Sequence, residues 1–495
     1  MLQQDLPSNQ TIDSLQEHSI RQLFKSSQDV QIDQVFMKFH DSEHSVILIY
    51  CIGLADSKQI NNYVMLHLES MIELHPDEQS LERYGPLRLK RLNVKDNVDT
   101  LTAHVFTGDL IIYLEKSHTF YSLVIADAPK RNPEESASEV SIKGARDGFT
   151  EDLDTNVALV RRRIKSASMS CEYFTVGRRS QTKVALLYMN DIANPELIQM
   201  AKERLLKIDV DVLHNSSQLE AMLADTSISL FPLIDYIGRP DYVTESLMVG
   251  RFVFLADGSP NAIIAPVSFA GILKTPEDLY LPFQFVSLER ILRIFGFFIG
   301  TLLPGFWISL SAYNIDQLPF SLLATAKIVR AGLPMPSTLE SFFMVILFEV
   351  FREAGIRLPK SVGQTVAVVG GLIIGDMSVK AGITSPVMIV VVSISTVASF
   401  MLINQNLNGT ATILRIYVLI MSCFLGIFGF ILAFICIVFY MSALESFGIP
   451  YFSPLSPPVW KELIPAIARE PIIRMKKRSS VLHPKDSTRG GDDAS

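Results

Sequence analysis

ILRIYVLIMSCFLGIFGFILAFICIVFYMSA, residues Ile413 to Ala443, holds a single charged side chain, Arg415. A helix crossing roughly 30 Å of hydrocarbon needs about 20 apolar residues. This run exceeds that, so it must tilt, project beyond the bilayer, or break near Gly426 and Gly429. Ile291 to Leu310, ILRIFGFFIGTLLPGFWISL, is a second run of spanning length. Working outward from these two, six apolar segments fall at about 291–313, 318–333, 338–354, 361–379, 384–403 and 412–443. The second is short and carries Lys327 and Arg330, which suits a helix in the interface or one dipping partly in. Before about residue 285 the chain is charged and mixed. The contrast predicts an α/β soluble region of two subdomains followed by an all-α polytopic membrane domain.

The start, Met1 to Thr11, lacks the basic-then-apolar order of a secretory signal peptide, which keeps the soluble region on the cytoplasmic side. With six crossings both ends share that side. Arg290, Arg293, Lys327, Arg330, Lys380 and the tail residues Arg474, Lys476, Lys477 and Arg478 then lie inside, as the positive-inside rule asks. Arg352, Arg357, Lys360 and Arg415 would face outward, which opposes that count. The net charge of −7 gives no basic face for nucleic acid. Cys51, Cys171, Cys423 and Cys436 are far apart and make neither a disulfide framework nor a metal knuckle.

Within the soluble region, Ser45 to Gly53, Thr102 to Glu115 and Thr119 to Ala126 read as strands, with Asn61 to Leu74 as a helix. A Pro-, Ser- and Glu-rich linker follows at 129–147. Beyond it a helix capped by Thr150 and Asp152 ends in the basic run Arg161, Arg162, Arg163, Lys165. Strands at Glu172 to Val176 and Lys183 to Met189, a helix from Pro195 to Leu206 and a strand at Phe252 to Ala256 complete an α/β pattern. Asp257-Gly-Ser-Pro260 reads as a tight turn, with Asn261 to Phe269 as the returning strand. The expected division is 1–128, linker 129–147, 148–285, membrane domain 286–445 and a cytoplasmic tail 446–495.

No phosphate-binding loop, dinucleotide fingerprint, zinc-protease motif or nucleophile elbow occurs, so catalytic, cofactor and metal residues are all expected to be absent. The informative residues are ionisable ones in apolar sequence, which survive where they face protein or water. Glu349 and Arg352, three apart, share a helix face and pair. Thr365, Val369, Leu372 and Asp376 form one helical stripe ending in a carboxylate, beside Gly370, Gly371, Gly375 and Gly382. Such a stripe fits a narrow pore with a cation-attracting mouth in an oligomer; it also fits a buried packing helix.

Nine strings resemble one family. They are Gly148-Phe-Thr-Glu-Asp-Leu-Asp-Thr-Asn156, Arg161-Arg-Arg-Ile-Lys-Ser166, Phe174-Thr-Val-Gly-Arg-Arg-Ser180, Val184-Ala-Leu-Leu-Tyr188, Ile192-Ala-Asn-Pro-Glu-Leu197, Asp257-Gly-Ser-Pro260, Arg352-Glu-Ala-Gly-Ile-Arg-Leu-Pro359, Gly363-Gln-Thr365 and Ser446-Phe-Gly-Ile-Pro-Tyr451. In this order they resemble the A subunits of GerA-type spore nutrient-germinant receptors, over about residues 146–465. The resemblance implies a complex in the spore inner membrane with a transporter-like B subunit, which senses the nutrient, and a lipoprotein C subunit. It implies A subunits that assemble as homo-oligomers among membrane lipid into an ion-releasing channel. The family tends to have Gly-Gln where this chain has Gly375-Asp376, which puts simple transfer of pore properties in doubt. The alternative is a non-conducting scaffold that docks the sensing subunit and relays its signal.

Overall fold

The computed structural model describes residues 17–39, 42–74, 87–92, 98–126, 143–226, 228–330, 332–357 and 375–489. The chain forms two compact units. One holds Met1–Ser227, Ile234–Val267 and Ile473–Ser495; the other holds Ile228–Leu233 and Ser268–Ile472.

The first unit contains two sheets. After α1 (Glu17–Leu23) come β1 (Val30–Phe39), β2 (Ser42–Cys51), α2 (Ser57–Gln59), a π-turn at Ile60–Val64, α3 (Met65–Leu74), β3 (Lys90–Arg91), α4 (Val98–Val105), β4 (Asp109–Leu114) and β5 (Thr119–Val124). Then follow α5 (Leu153–Arg161), β6 (Met169–Val176), β7 (Thr182–Met189), α6 (Pro195–Lys207), α7 (Ser216–Leu223), β8 (Asp235–Ile237), α8 (Pro240–Val249), β9 (Phe252–Ala256) and β10 (Ala262–Ala265). The sheets run β1-β2-β4-β5-β3 and β6-β7-β9-β10-β8. All pairings are antiparallel, and the order of strands by sequence is the same in both.

The run Ser45 to Cys51 is apolar without alternation because both faces of the first sheet are covered. Ile47, Ile49 and Cys51 pack with Leu101 and Val105 of α4, whereas Val46, Leu48 and Tyr50 pack with Val64, Leu68 and Met71. The expected strand from Thr102 is a helix as far as Val105, since Leu101 and Val105 sit one turn apart facing that core. Gly108, at φ +98°, then turns the chain into β4. The expected strand to Phe269 stops at Ala265: Pro266 cannot donate to the ladder, and Ser268 caps a short helix, α9 (Phe269–Ile272).

Helix α5 belongs to both cores. Its Ala158 lies in the core of the first sheet, and its Val157 and Val160 in that of the second. Gly53 permits this approach, because a Cβ there would stand 2.9 Å from the carbonyl oxygen of Asp154. At the end of α5 the Arg161 guanidinium, 0% exposed, donates to both oxygens of Asp29 at 2.6 and 2.9 Å and to Ser27 Oγ at 3.1 Å, with its carbon 4.2 Å from the Phe106 ring centroid. One member of the expected basic run is therefore an internal tie between the two sheets.

The second unit is helical: α10 (Phe283–Ile308) with a π-helical extension to Tyr313, α11 (Phe320–Arg330), α12 (Ser337–Arg357), α13 (Pro386–Ser399) and α14 (Gln405–Ala443). A two-residue hairpin of β11 (Glu445–Ser446) and β12 (Ile449–Pro450) and the short α15 (Trp460–Ile467) close it. At the start of α10, Asp278 accepts from Arg290 Nε at 2.8 Å and Arg293 Nη1 at 2.9 Å, and Arg469 donates to its carbonyl. Burial pushes the Asp278 carboxyl up, but the two arginines outweigh it and hold it below its usual value. Arg290 and Arg293 are thus internal rather than free surface cations. The expected tail is divided: Arg478 Nε donates to Met248 O at 2.8 Å and Lys485 Nζ to Asn190 O at 3.0 Å, both inside the first unit.

Two outcomes follow. Truncating either member of a buried pair costs about 3–5 kcal/mol, whereas an apolar replacement of both is often neutral. Asp29→Leu and Arg161→Met should each lower the unfolding midpoint of the full chain in urea, and the double variant should recover most of the loss. Glu220 has its carboxyl raised from 4.5 to about 7 by burial and then by the charge of Asp235. The folded state therefore holds this proton more tightly than the unfolded state, so stability falls as pH rises from about 4.5 to 7. Glu220→Gln should flatten that part of the stability–pH curve; an unchanged slope would assign it to other groups.

Candidate functional site

Among the described residues two helices, Phe283–Tyr313 and Gln405–Ala443, are long and apolar enough to cross a membrane. Between them and their neighbours lies a set of polar groups. Glycines bring the helices close: a Cβ on Gly296 would meet Ala398 O at 2.9 Å, and one on Gly305 would meet Val418 Cγ1 at 2.7 Å. Pro304 sits inside α10 and has no N–H, so the carbonyl of Gly300, four residues earlier, loses its helical donor. Arg415 Nε of α14 donates to that oxygen at 2.7 Å and Ser395 Oγ of α13 at 2.8 Å, while Arg415 also donates to Ser399 Oγ. Arg415 is 1% exposed. The structure buries Arg415 against a carbonyl that a proline frees, so its charge is held inside the helical unit.

A second break is mended the same way. Gly426 in α14 has φ +59°, and the helical bond that would join Ile427 N–H to the carbonyl of Cys423 is replaced. Asn314 Oδ1 accepts from Ile427 N at 3.4 Å, and the Tyr313 hydroxyl donates to Cys423 O. The break expected near Gly426 is thus stabilised by the extension of α10.

Glu340, in the first turn of α12, accepts from Ser385 N at 2.6 Å, Ser385 Oγ at 2.7 Å and Thr384 Oγ1 at 2.9 Å. Ser385 is the N-cap of α13, so the carboxylate lies at the positive end of that helix. Its second oxygen is buried without a partner among the described residues. Arg352 contacts the Glu349 carboxylate and reaches α14 through Asn408 Oδ1 at 3.2 Å and Thr412 Oγ1 at 2.8 Å. The two residues expected to pair are in contact, and the pair ties two helices. Asp376 is helical, with a side chain 56% exposed and paired to Lys380 Nζ at 2.6 Å. Thr365, Val369 and Leu372 lie outside the described residues.

Glu340, Ser395 and Ser399 escaped sequence reasoning. The signals that point to such positions are a proline inside an apolar run and an arginine two residues into another, each of which needs a partner in its neighbour. Among the described residues no group of three or more His, Cys, Asp or Glu could hold a metal ion.

A family model described as Bacillus/Clostridium GerA spore germination protein matches residues 18–481. The chain belongs to that family. It is 40% identical to spore germination protein XA of Bacillus anthracis over 96% of each chain. It is 32% identical to spore germination protein KA of Bacillus subtilis (strain 168), over 94% of this chain and 86% of that one. Among solved structures, the N-terminal domain of the A subunit of the Bacillus megaterium spore germinant receptor GerK3 aligns with 53% of this GerA-family chain and 99% of that domain, at 23% identity and a TM-score of 0.39.

If Arg415 acts through the Gly300 carbonyl, Arg415→Ala should cost about 1–3 kcal/mol, the price of leaving a buried acceptor short of a donor. Pro304→Ala restores an N–H to that acceptor, so the double variant should be more stable than Arg415→Ala alone. Thermal unfolding of the detergent-solubilised chain reads both. No rescue would mean that the guanidinium matters for packing rather than for this carbonyl.

Proposed function

We propose that this chain is the membrane-embedded A subunit of a spore nutrient-germinant receptor, and that copies of it assemble into an ion-conducting channel that opens to start germination. In this reading the helical unit crosses the spore inner membrane several times, the α/β unit and the end of the chain are cytoplasmic, and the chain works with a transporter-like B subunit and a lipoprotein C subunit. Membership of the GerA family supports the receptor role. The observation that favours conduction over a passive anchor is the buried polar set of Arg415, Glu340 and their hydroxyl partners inside helices that are otherwise apolar. Ionisable side chains at such depth are expensive, and they mark interfaces or ion paths when they persist.

The proposed pore stripe is Thr365, Val369, Leu372 and Asp376, with Glu349 and Arg352 as the adjoining ion pair. The contact between Asp376 and Lys380 refines the proposal, because a ring of these pairs would carry alternating charge and attract cations less than bare carboxylates would. Potassium efflux from cells making each variant with its partner subunits, normalised to membrane protein, tests it. Val369→Ala and Leu372→Ala should leak several-fold more than wild type without nutrient, and Asp376→Asn should weaken cation preference. Val368 and Ile374 are the opposite-face controls. Leakage confined to those controls would turn the segment round, and no leakage from any variant would favour the scaffold that relays a signal without conducting.

A further inference from the structure

We infer that a cavity beside α11 binds the headgroup of an anionic phospholipid; this rests on the reading that the helical unit lies in a membrane. The cavity measures about 590 Å³ and is lined by Trp307, Ser311 and Tyr313 from the end of α10, Lys327 and Arg330 from α11, and Thr338 from the start of α12. That volume lies within the range of about 300–1,000 Å³ usual for small-molecule sites.

Three observations give the occupant its chemistry. Lys327 and Arg330 are three apart, so on a helix they share one face, where like charges repel. Among the described residues neither side chain has an ion-pair or hydrogen-bond partner. The Ser311 hydroxyl is buried and also has no partner among the described residues. Two cations and a free hydroxyl donor around one space suit an oxyanion, and arginine in particular matches the geometry of phosphate.

The exposed apolar residues of α11 decide between a lipid and a soluble anion. Phe320 and Ile328 are 85% and 74% exposed. Phe320 lies two turns before Lys327 on the same face and Ile328 is the next residue, so bare apolar groups stand beside the cations, as suits a helix in a membrane interface with its apolar groups against acyl chains and its cations at the headgroups. Trp307 and Tyr313 are the aromatic types that collect at headgroup depth. A phosphate carrying acyl chains satisfies the cations and these exposed apolar groups at once, and free phosphate satisfies the cations alone. The Glu340 carboxylate, held at one oxygen by Ser385 and Thr384, keeps its negative charge, and the two cations Lys327 and Arg330 outnumber it.

The chain has two tryptophans, Trp307 and Trp460, so Trp460→Phe leaves a single fluorescent reporter in the cavity wall. The experiment measures quenching of Trp307 in the full-length Trp460→Phe chain by dibrominated phosphatidylglycerol and by dibrominated phosphatidylcholine in mixed micelles. Phosphatidylglycerol should reach half-quenching at a roughly fivefold lower mole fraction, a preference of about 1 kcal/mol. Lys327→Gln with Arg330→Gln should abolish the preference, while Lys327→Arg with Arg330→Lys should keep it and show that the helix still folds. Excess inorganic phosphate should leave the quenching unchanged. Equal quenching by both lipids, or a preference that survives loss of both charges, overturns the inference. Recovery of fluorescence with inorganic phosphate overturns it in favour of a free anion. Quenching by neither lipid would instead remove the membrane placement of this unit, a failure that the phosphatidylcholine arm separates from the others.

Discussion

The carbonyl of Gly300 is where the helical unit is tied together. Pro304 removes its helical donor, and in an apolar environment an acceptor left bare costs several kcal/mol. The protein answers with donors from two other helices, Ser395 on α13 and Arg415 on α14, so one backbone oxygen fixes the mutual register of three helices. The close approach that this requires is allowed by Gly296, Gly300 and Gly305, whose missing side chains leave room for neighbouring backbone and hydroxyls. The kink at Gly426 repeats the logic with Asn314 and Tyr313. In both places an irregularity in one helix is made stable, and specific, by a side chain of another.

The α/β unit uses charge for the same purpose. Arg161 and Asp29 join the shared helix α5 to the turn before β1, and a buried ion pair of this kind contributes register more than net stability. Asp278 performs a similar office at the beginning of α10, where two arginines and the carbonyl contact from Arg469 gather loop, helix and C-terminal segment. Several cations that composition alone would assign to solvent or lipid headgroups are in fact structural, and the positive-inside argument has to be made without them.

Much of this was legible. The fold class follows from the contrast between mixed and apolar sequence, and most strands and the long helices follow from runs such as Phe252 to Ala256, buried throughout, and Ile413 to Ala443, with one charged residue. Glu349 and Arg352 follow from helical spacing. What was not legible depends on contacts between distant segments. The start of β4 could not be separated from α4 because β-branched Thr102 and Val105 carry strand propensity, and only packing against the first sheet makes them helical. The repeated strand order was invisible because the short edge strands β3 and β8 carry too few residues to show alternation. The role of Arg415 required knowing that Gly300 lies opposite it.

The way the two units share the chain also bears on the order in which they can be built. A ribosome delivers residues from the N-terminus, and domains that are continuous in sequence fold as they emerge. Here the first sheet is complete in strands by Val124, yet its core waits for Ala158 on α5. Residues 228–233, emerging in the midst of the α/β region, belong to the helical unit, and residues from Ile473 onward belong to the α/β unit. Each unit therefore receives its last residues only after part of the other has been made. Completion of the two units is interleaved along the chain, rather than one finishing before the other begins.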